Sequence, residues 1–373
     1  MKRRIYLVTP GGARGRGGIG RMVAYLAGAW KEDERAADLV IVDSYGPDRK
    51  TLMPIYFLAA CLRITASAAL GRIDLLHVNM SERASVWRKG LVVWLGTLFN
   101  VPVLLHWHGA DFIDYYHGLG PVRRRLLRAT LHRAERTIVL GAFWRRFAVG
   151  ELGLPIEKVG ILANAVPDPR RAADDPPCPV PAEGGAERPT RIVFLGRLGA
   201  RKGVPELLEA LSGLAGDWTA VLAGDGEVGR FRTELAVLGL DQRVRILEWV
   251  DAATARRLLA EGDILVLPSR NEGLPMAVLE AMSHGLAVVA TTVGSVPDAV
   301  QDGESGLLVP AGDAKALGQA LARLVADSLL RRRLGERARR RFEAEFSLPV
   351  YVERLARIYA GTGTKLVQPV AAE

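Results

Sequence analysis

The sequence predicts an α/β protein with two doubly wound domains, each a parallel sheet wrapped by helices. Short apolar segments rich in β-branched residues alternate with helical patterns in both halves of the chain. This alternation is interrupted once, over residues 167–189, which contain seven prolines and almost no large apolar side chains. A chain of 373 residues is long enough to bury two cores. In such folds, ligands bind at the carboxyl ends of the strands.

We predict four segments along the chain. They are an N-terminal domain over 1–166, a Pro-rich linker over 167–189, a C-terminal domain over 190–346, and a final helix with a loose tail over 347–373. Strands are expected at 4–9, 39–43, 75–78, 102–107, 137–140 and 160–162, and then at 191–195, 219–223, 244–247, 264–267, 287–290 and 307–309. The apolar stretches 51–62 and 91–105 are both interrupted by proline, so we expect core elements there and no membrane span.

The excess of basic over acidic residues lies entirely in the first half of the chain. Residues 1–170 contain 25 Lys and Arg against 14 Asp and Glu, whereas residues 171–373 contain 25 against 27. This excess is compatible with nucleic acid, an anionic membrane surface or a phosphate-bearing acceptor, and equally with solvated helix faces. The two cysteines, Cys61 and Cys178, have no metal-ligand spacing, which favours a reducing cytoplasm.

A strand, a turn and a helix in the second half carry two carboxylates. The run Ile264–Leu267 is typical of a core strand, Pro275 suits the first turn of a helix, and Gly285 suits its end. Glu272 lies in the turn and Glu280 on the helix. Free N–H groups at a helix start bind phosphate, which carboxylates would repel unless they bind something else, such as sugar hydroxyls. The combination indicates a nucleotide-sugar site.

Two other strand ends in the second half carry candidate residues. Arg197 and Lys202 follow one strand, where a guanidinium fork and an ammonium could neutralise a diphosphate leaving group without a metal. A solvated basic loop is the structural alternative. Gly224-Asp225-Gly226-Glu227 follows the next strand, and its glycines would let the backbone pass close to a ligand.

A glycine-rich loop follows the first strand and permits two functional interpretations. Its six glycines between Gly11 and Gly20 let backbone N–H groups approach a phosphate. Gly15, Gly17 and Gly20 also satisfy the G-x-G-x-x-G pattern, with Asp43 placed as a ribose-binding acid, so a dinucleotide oxidoreductase is an alternative. A glycine-rich turn that binds no ligand would have the same sequence.

Two histidines and a basic, aromatic segment stand out in the first half. His106 and His108 flank a strand end and point to opposite sides, so we expect His106 to be buried and His108, with Asp111 nearby, to be a site residue. A basic and aromatic membrane-facing surface is a hypothesis for Arg123, Arg124, Arg125 and Arg128 together with Phe143, Trp144, Arg145, Arg146 and Phe147.

These motifs together resemble the retaining glycosyltransferases of family four, of the exopolysaccharide or lipid-linked glycan assembly type. Those enzymes have the GT-B fold, in which two Rossmann-like domains face a central cleft. The resemblance covers nearly the whole chain, through Gly17-Gly18-Ile19-Gly20-Arg21, His108-Gly109, Gly196-Arg197 with Lys202-Gly203, Gly224 to Glu227, the E-x7-E unit from Glu272 to Glu280, Gly294-Ser295-Val296-Pro297-Asp298 and the run from Asp302 to Pro310.

The resemblance implies a role for each matching residue. Donor diphosphate binding is implied for Gly18, Arg197, Lys202, Gly273 and Leu274; ribose binding for Glu280; contact with the donor sugar, as the catalytic pair, for His108 and Glu272; further candidates are Asp111, Gly226 and Glu227. Two departures put contacts in doubt. The usual Asn-Gly-Val-Asp is Asn164-Ala165-Val166-Pro167 here, and the usual Gly-Gly-x-Pro-Glu lacks its second glycine and has a shorter acid.

The resemblance further implies transfer of a hexose from a GDP- or UDP-hexose to a hydroxyl of a glycan or polyprenyl-diphosphate-linked acceptor. Neither a metal nor another cofactor is expected, and no nucleic-acid partner. The enzyme is expected in the cytoplasm, and as a further hypothesis on the inner face of the plasma membrane. A nucleotide-sugar epimerase or phosphorylase of the same architecture, the oxidoreductase and a non-catalytic nucleotide-binding module remain alternatives.

Overall fold

The computed structural model describes residues 2–15, 17–32, 37–46, 50–171 and 188–363. The chain divides into two compact units. The first comprises Met1–Ala163 with Pro349–Glu373, and the second comprises Asn164–Leu348. Most of the predicted Pro-rich linker, including Cys178, and the end of the predicted tail lie outside the described residues.

The first unit is a six-stranded parallel sheet with helices between its strands. The strand order is β2-β1-β3-β4-β5-β6. The strands are β1 (Arg4–Thr9), β2 (Asp38–Asp43), β3 (Leu75–Met80), β4 (Val103–Trp107), β5 (Arg136–Val139) and β6 (Val159–Ile161); the helices are α1 (Gly17–Glu32), α2 (Met53–Ala69), α3 (Ala84–Leu98), α4 (Phe112–His117), α5 (Pro121–His132) and α6 (Ala142–Gly150).

The second unit repeats this plan, with strand order β12-β11-β10-β7-β8-β9, again parallel throughout. Its strands are β7 (Thr190–Leu195), β8 (Trp218–Ala223), β9 (Val244–Leu247), β10 (Ile264–Leu267), β11 (Ala287–Thr291) and β12 (Leu307–Val309). Its helices are α7 (Val204–Ser212), α8 (Val228–Val237), α9 (Ala252–Glu261), α10 (Met276–His284), α11 (Val296–Ala299), α12 (Ala314–Ala326) and α13 (Ser328–Arg341), followed by a π-helical turn at Phe342–Phe346.

The predicted fold class and strands are confirmed, each strand end to within two residues. The reason is that strands in a parallel sheet covered on both faces read as continuous β-branched runs. Strand β10, for example, is buried at all four positions. Helix α10 begins one residue later than expected, because Pro275 has an extended backbone and serves as the N-cap, while Gly285 ends the helix in the left-handed conformation.

The last helix, α14 (Leu348–Gly361), completes the first unit, which the sequence does not predict. Its Tyr359 is buried, and the Tyr359 hydroxyl lies 2.6 Å from Nδ1 of His77 on β3. The Arg3 guanidinium donates to the carbonyls of Tyr359 and Thr362. Helix α14 and Thr362 just after it are therefore held to the start of β1 and to the centre of the first sheet.

Helix α2 contradicts the expectation that the apolar stretch 51–62 is a core element. Only Ala60 and Ile64 of this helix are buried, while Ile55, Leu58 and Leu62 are each more than 60% exposed. The helix is apolar on its inner and outer sides alike, so its composition does not show which side packs on the sheet. None of the helices in the described ranges has the length and apolar character that a membrane span requires.

A buried ion pair holds Asp168, in the described start of the Pro-rich segment, against helix α13 of the second unit. The Arg339 guanidinium donates to both carboxylate oxygens of Asp168, at 2.8 and 2.7 Å, and its Nε donates to Glu343 at 2.7 Å. The Arg339 and Asp168 side chains are only 7% and 9% exposed. A bidentate pair in this setting fixes direction as well as distance.

We predict that Asp168→Ala lowers the stability of the second unit by about 3–5 kcal/mol, because it leaves the Arg339 guanidinium buried without its main partner. Glu261→Ala is the matched control, since the Arg191–Glu261 pair is half exposed on both sides and should contribute less than about 1 kcal/mol. Urea unfolding followed by tryptophan fluorescence compares the two variants. Equal midpoints would show that the buried pair contributes no more than the exposed one.

Candidate active site

Four neighbouring strands of the second sheet end in the loops that the sequence singled out. The order β11-β10-β7-β8 places the loops that follow these strands side by side at one edge of the sheet. They carry Gly294, Glu272, Arg197 with Lys202, and Gly226, respectively. Since the carboxyl ends of parallel strands form the usual ligand edge, the separate sequence motifs belong to one surface.

The centre of this surface is an ion pair between two of the loops. Lys202 Nζ lies 2.5 Å from Glu272 Oε1, and the Ser269 hydroxyl donates to the same carboxylate oxygen at 2.6 Å. The Glu272 side chain is 7% exposed and that of Lys202 is 16% exposed. Burial of the carboxylate is offset by the ammonium and the hydroxyl, both of which donate to it. Sequence analysis did not identify Ser269, although it lies three residues before Glu272 in the same loop.

Close backbone contacts hold these loops at a fixed distance. Gly203 has φ +70°, and a Cβ there would overlap the carbonyl oxygen of Pro268 at the end of β10. Gly294 has φ +53°, and a Cβ there would overlap the carbonyl oxygen of Glu272. Both positions therefore require glycine, for backbone conformation and for space. Neighbouring loops are thus packed backbone to backbone on either side of Glu272.

The Gly224-Asp225-Gly226-Glu227 motif packs on a neighbouring loop, a contact that the sequence did not predict. A Cβ at Gly224 would overlap Gly196 O, and one at Gly226 would overlap Leu198 O. Leu198 N donates to Asp225 O at 2.6 Å, and Glu227 N donates to Leu198 O at 3.0 Å. The glycines therefore hold the loop that carries Arg197. Arg197 is exposed, and no hydrogen bond or salt bridge of its guanidinium is recorded among the described residues.

The start of α10 lies beside this pair. Glu280 is 9% exposed on the second turn of α10. Gly273 O accepts from Ser295 N at 2.8 Å, and Leu274 O accepts from Asn164 Nδ2 at 2.9 Å. Ser295 and Asn164 both belong to segments that depart from the family pattern. Each still binds the backbone of the turn that contains Gly273 and Leu274, which sequence reasoning did not anticipate.

In the first unit, His108 follows β4 and is held by the neighbouring strand. Its backbone N donates to Met80 O at 2.9 Å, and its Nε2 lies 3.3 Å from Asn79 Oδ1. Because Asn79 Oδ1 is an acceptor, Nε2 carries the proton and Nδ1 keeps its lone pair. Burial lowers the pKa of His108 to about 4, so the ring is neutral at neutral pH.

His106 is buried, as the sequence predicted, and it belongs to a row of buried polar rings. The Tyr359 hydroxyl lies 2.6 Å from His77 Nδ1, and His77 Nε2 lies 3.2 Å from His106 Nδ1. Burial lowers the pKa of His77 to about 3 and that of His106 well below its usual value. The His106 ring lies 4.1 Å from that of His108, centroid to centroid. The His106 ring, at the end of this row, therefore packs against the His108 ring. The expectation that the two side chains point to opposite sides is therefore wrong, because residues i and i+2 of an extended segment face the same side.

Asp43, which the oxidoreductase alternative would use to bind ribose, accepts hydrogen bonds from the protein backbone. Asp43 Oδ1 accepts from the backbone N of Gly11, Tyr45 and Gly46 at 2.8, 2.8 and 2.9 Å. This carboxylate oxygen therefore holds the loops after β1 and β2 together. Gly18 is exposed in the first turn of α1, which leaves its surface open to a ligand.

Some of the remaining candidate residues are exposed, and others are buried in the core. Asp111 lies at the N-cap of α4, partly exposed. The hypothesis of an aromatic membrane surface around residue 145 is wrong for Trp144 and Phe147, which are 3% and 5% exposed in the core. In the second unit, Glu227 forms an exposed ion pair with Arg230.

Among the residues that the structure describes, no group of three His, Cys, Asp or Glu side chains is arranged to hold a metal ion. The groups available to an anionic ligand in the second unit are Arg197, Lys202 and the start of α10. Two carboxylates, those of Glu272 and Glu280, lie near the same edge, and carboxylates can accept hydrogen bonds from hydroxyls. The surface can thus bind a molecule that carries both phosphate and sugar.

We predict that acid destabilises the first unit through its buried histidines. The pKa values of His77 and His108 lie below the usual 6.5 in the folded chain, so the unfolded chain takes up protons first as the pH falls. The stability that these neutral rings provide is complete above pH 6.5 and is lost as the pH falls toward 4. Each such histidine contributes a slope of about 1.4 kcal/mol per pH unit in this range.

His77→Phe should remove one of these slopes, and His117→Gln, at an exposed position, is the matched control. Urea-unfolding midpoints between pH 7 and pH 4 measure the effect. A His77→Phe profile parallel to that of the parent chain would contradict the assignment.

Two family models match the chain. One, described as a glycosyl transferase 4-like domain, covers residues 7–165, and the other, described as glycosyl transferases group 1, covers residues 189–327. Alpha-maltose-1-phosphate synthase of Mycolicibacterium smegmatis is 32% identical to the chain, over 79% of this chain and 84% of its own length. The amylovoran biosynthesis glycosyltransferase AmsK of Erwinia amylovora is 28% identical, over 66% of this chain and 63% of its own length.

Among solved structures, Anabaena HepE in complex with UDP-glucose has a TM-score of 0.72 at 18% identity, covering 96% of this chain and 99% of that chain. Its likeness concerns the fold. The two parallel-sheet units, the matched family models and the M. smegmatis relative agree on one assignment. The chain belongs to the family 4, or group 1, glycosyltransferases, and it is a transferase enzyme with the two Rossmann-like domains of the GT-B fold.

Proposed function

We propose that this glycosyltransferase moves a hexose from a GDP- or UDP-hexose to a hydroxyl of a glycan or polyprenyl-diphosphate-linked acceptor, with retention of the anomeric configuration. The observation that carries the donor assignment is the Lys202–Glu272 pair, with Arg197 exposed on the loop that leads to Lys202. That surface presents cations and carboxylates from adjacent strand ends. The complex of HepE with UDP-glucose and the polysaccharide pathway named for AmsK support the donor and acceptor classes.

The diphosphate is proposed to replace Glu272 as the partner of Lys202. In the ligand-free chain the Lys202 ammonium is neutralised by the Glu272 carboxylate. A donor diphosphate carries about two negative charges and competes for the ammonium, while Arg197 adds a two-pronged donor. Glu272 Oε1 would then be released to accept from a sugar hydroxyl, with Ser269 still holding the carboxylate in place.

The remaining donor contacts are assigned by position. Glu280 on α10 is proposed to accept from the ribose hydroxyls, and the N–H groups of Gly273 and Leu274 to approach the phosphates near the helix start. Gly18 in the first turn of α1 is proposed as a further phosphate contact. His108 is proposed to face the sugar, where its Nδ1 lone pair can accept from a hydroxyl.

The chemical step is proposed as substitution on one face of the sugar. The bond from the anomeric carbon to the leaving phosphate oxygen breaks, and the acceptor oxygen forms its bond on the same face through an oxocarbenium-like state. The leaving phosphate oxygen takes the acceptor proton, so no protein nucleophile is required. Arg197 and Lys202 stabilise the charge that develops on the diphosphate, which is the largest contribution expected from the protein. Glu272 positions the sugar.

We predict that Arg197→Ala and Lys202→Ala each lower kcat by about 10²-fold or more, the scale of losing one preorganised charge stabiliser. Lys315→Ala removes an exposed lysine from α12 and is the matched control, with unchanged turnover expected. The assay first identifies the donor from a thermal-shift panel of nucleoside diphosphates and their sugars, including NAD. It then measures transfer or slow donor hydrolysis. Near-normal rates in a folded Lys202→Ala enzyme would exclude this site.

We also predict that transfer does not depend on a divalent metal, because the two cations neutralise the diphosphate. Activity of the purified enzyme should change less than about twofold after dialysis against EDTA. Because both charge stabilisers remain in place, the activation free energy should change by no more than about RT. Loss of activity with EDTA and recovery with Mg²⁺ or Mn²⁺ would contradict this. Proton NMR of the product reports the anomeric configuration in the same samples.

A further inference from the structure

Helix α2 presents an apolar stripe to solvent. Ile55, Leu58 and Leu62 are 64%, 61% and 61% exposed, and their i, i+3, i+7 spacing places them on one side of the helix. The opposite side carries the two buried residues, Ala60 and Ile64. Single exposed apolar side chains are normal, whereas a continuous stripe over two turns indicates an interaction surface.

The same pattern continues on two neighbouring helices of the first unit. On α3, Leu91, Trp94 and Leu98 are 48%, 38% and 70% exposed, again with i, i+3, i+7 spacing. On α5, Val122 and Leu126 are 79% and 49% exposed. Helix α3 packs against both α2 and α5, so the three helices form one side of the unit, called here the α2–α3–α5 face.

Side-chain contacts join α3 and α5 within this face. Trp94 Nε1 donates to Thr130 Oγ1 at 3.1 Å, and the Arg133 guanidinium lies 3.5 Å from the centroid of the Trp94 ring. Trp94 therefore has an apolar edge in solvent, a polar edge on α5 and a cation over its ring. An indole held in this way suits the boundary between water and a lipid layer.

The charges on these helices have one sign. Helices α2, α3 and α5 contain six arginines and one lysine and no Asp or Glu. Lys89 is buried, but Arg63, Arg123 and Arg125 are exposed. An apolar surface with exposed cations and no acids complements an anionic bilayer, where each basic residue near the surface adds about 1 kcal/mol.

We propose that the α2–α3–α5 face binds an anionic lipid bilayer, with the α2 stripe inserted at the headgroup level. A second copy of the chain fits less well, because a two-fold interface would bring the same acid-free, basic surfaces together. The face shares the α5 arginines with the membrane surface expected from the sequence, but not Trp144 and Phe147, whose rings are in the core. The proposal rests on the proposed function only in that a lipid-linked acceptor gives the face its purpose.

The first test removes the α2 stripe. Ile55→Ser/Leu58→Ser/Leu62→Ser should weaken co-sedimentation with vesicles of phosphatidylcholine and phosphatidylglycerol by about tenfold or more, because less apolar surface enters the bilayer. Val237→Ser/Leu329→Ser is the matched control, with sites 81% and 68% exposed in the second unit, and should bind like the parent chain. Equal binding by the triple variant and the parent, or no binding by the parent, would overturn the proposal.

The second test removes charge. Arg123→Gln/Arg125→Gln should weaken binding to the same vesicles by about tenfold or more, since each charge is worth about fivefold. Arg332→Gln/Arg333→Gln on the basic helix α13, at two exposed positions of the second unit, is the matched control. Equal binding of the parent to vesicles of phosphatidylcholine alone would overturn the electrostatic part. A parent dimer that the triple α2 variant dissociates, seen by light scattering without lipid, would assign the face to a second copy instead.

Donor hydrolysis without acceptor separates this proposal from the proposed function. The α2 and Arg123/Arg125 variants should keep parental rates of hydrolysis and parental thermal shifts with the nucleotide, because these residues lie outside the donor surface. Vesicle binding without any sugar transfer would leave the lipid face standing and exclude the proposed function. Sugar transfer without vesicle binding would support the proposed function and exclude the lipid-binding face.

Discussion

The ion pair between Lys202 and Glu272 is the interaction on which the proposed donor surface depends. It joins the loop after β7 to the loop after β10, two strands that lie side by side in the sheet. A mostly buried carboxylate requires a partner, and here the partner is the cation that a donor diphosphate would also attract. The ligand-free chain thus already has an arrangement close to the one proposed for the complex, in which the diphosphate replaces the Glu272 carboxylate as the partner of Lys202.

Backbone packing keeps that pair in place. Gly203 lies against Pro268, Gly294 against Glu272, and Gly224 and Gly226 against the loop that carries Arg197. Each contact is close enough that a single methyl group would separate two loops. The site is therefore positioned by the spacing of four strands, with little dependence on side-chain flexibility. This accounts for the many glycines at the strand ends without assigning each one to a ligand.

The sequence predicted the strands well and the contacts between loops poorly. Buried parallel strands leave a continuous β-branched pattern, so β10 and its neighbours could be located to within two residues. The partner of Glu272 lies 70 residues away, and only the strand order brings it close. Asp43 suited a ribose-binding acid by position, yet its Oδ1 accepts three backbone N–H groups. The position of a carboxylate along the sequence does not show which hydrogen-bond donors lie beside it in the folded chain.

The first unit shows the same limit for apolar residues. Helix α2 reads as a core element because it is apolar on every side, but the sheet covers only one side. His106 is expected to be buried, but the sequence gives no such indication for His77, which Tyr359 of the terminal helix α14 contacts. Burial by a segment from the other end of the chain leaves no local signal around His77. The outward α2 stripe and the buried histidine row are both consequences of how the helices cover the sheet.

A crystal structure of the chain with UDP or GDP bound tests the central claim most directly. The account predicts that Lys202 Nζ moves from its position 2.5 Å from Glu272 Oε1 to a diphosphate oxygen, with Arg197 on the same group and Glu280 at the ribose. Glu272 should keep its bond from Ser269 and turn toward the sugar position. A nucleotide bound at this edge of the sheet with the Lys202–Glu272 pair intact, or a nucleotide bound elsewhere, would contradict it.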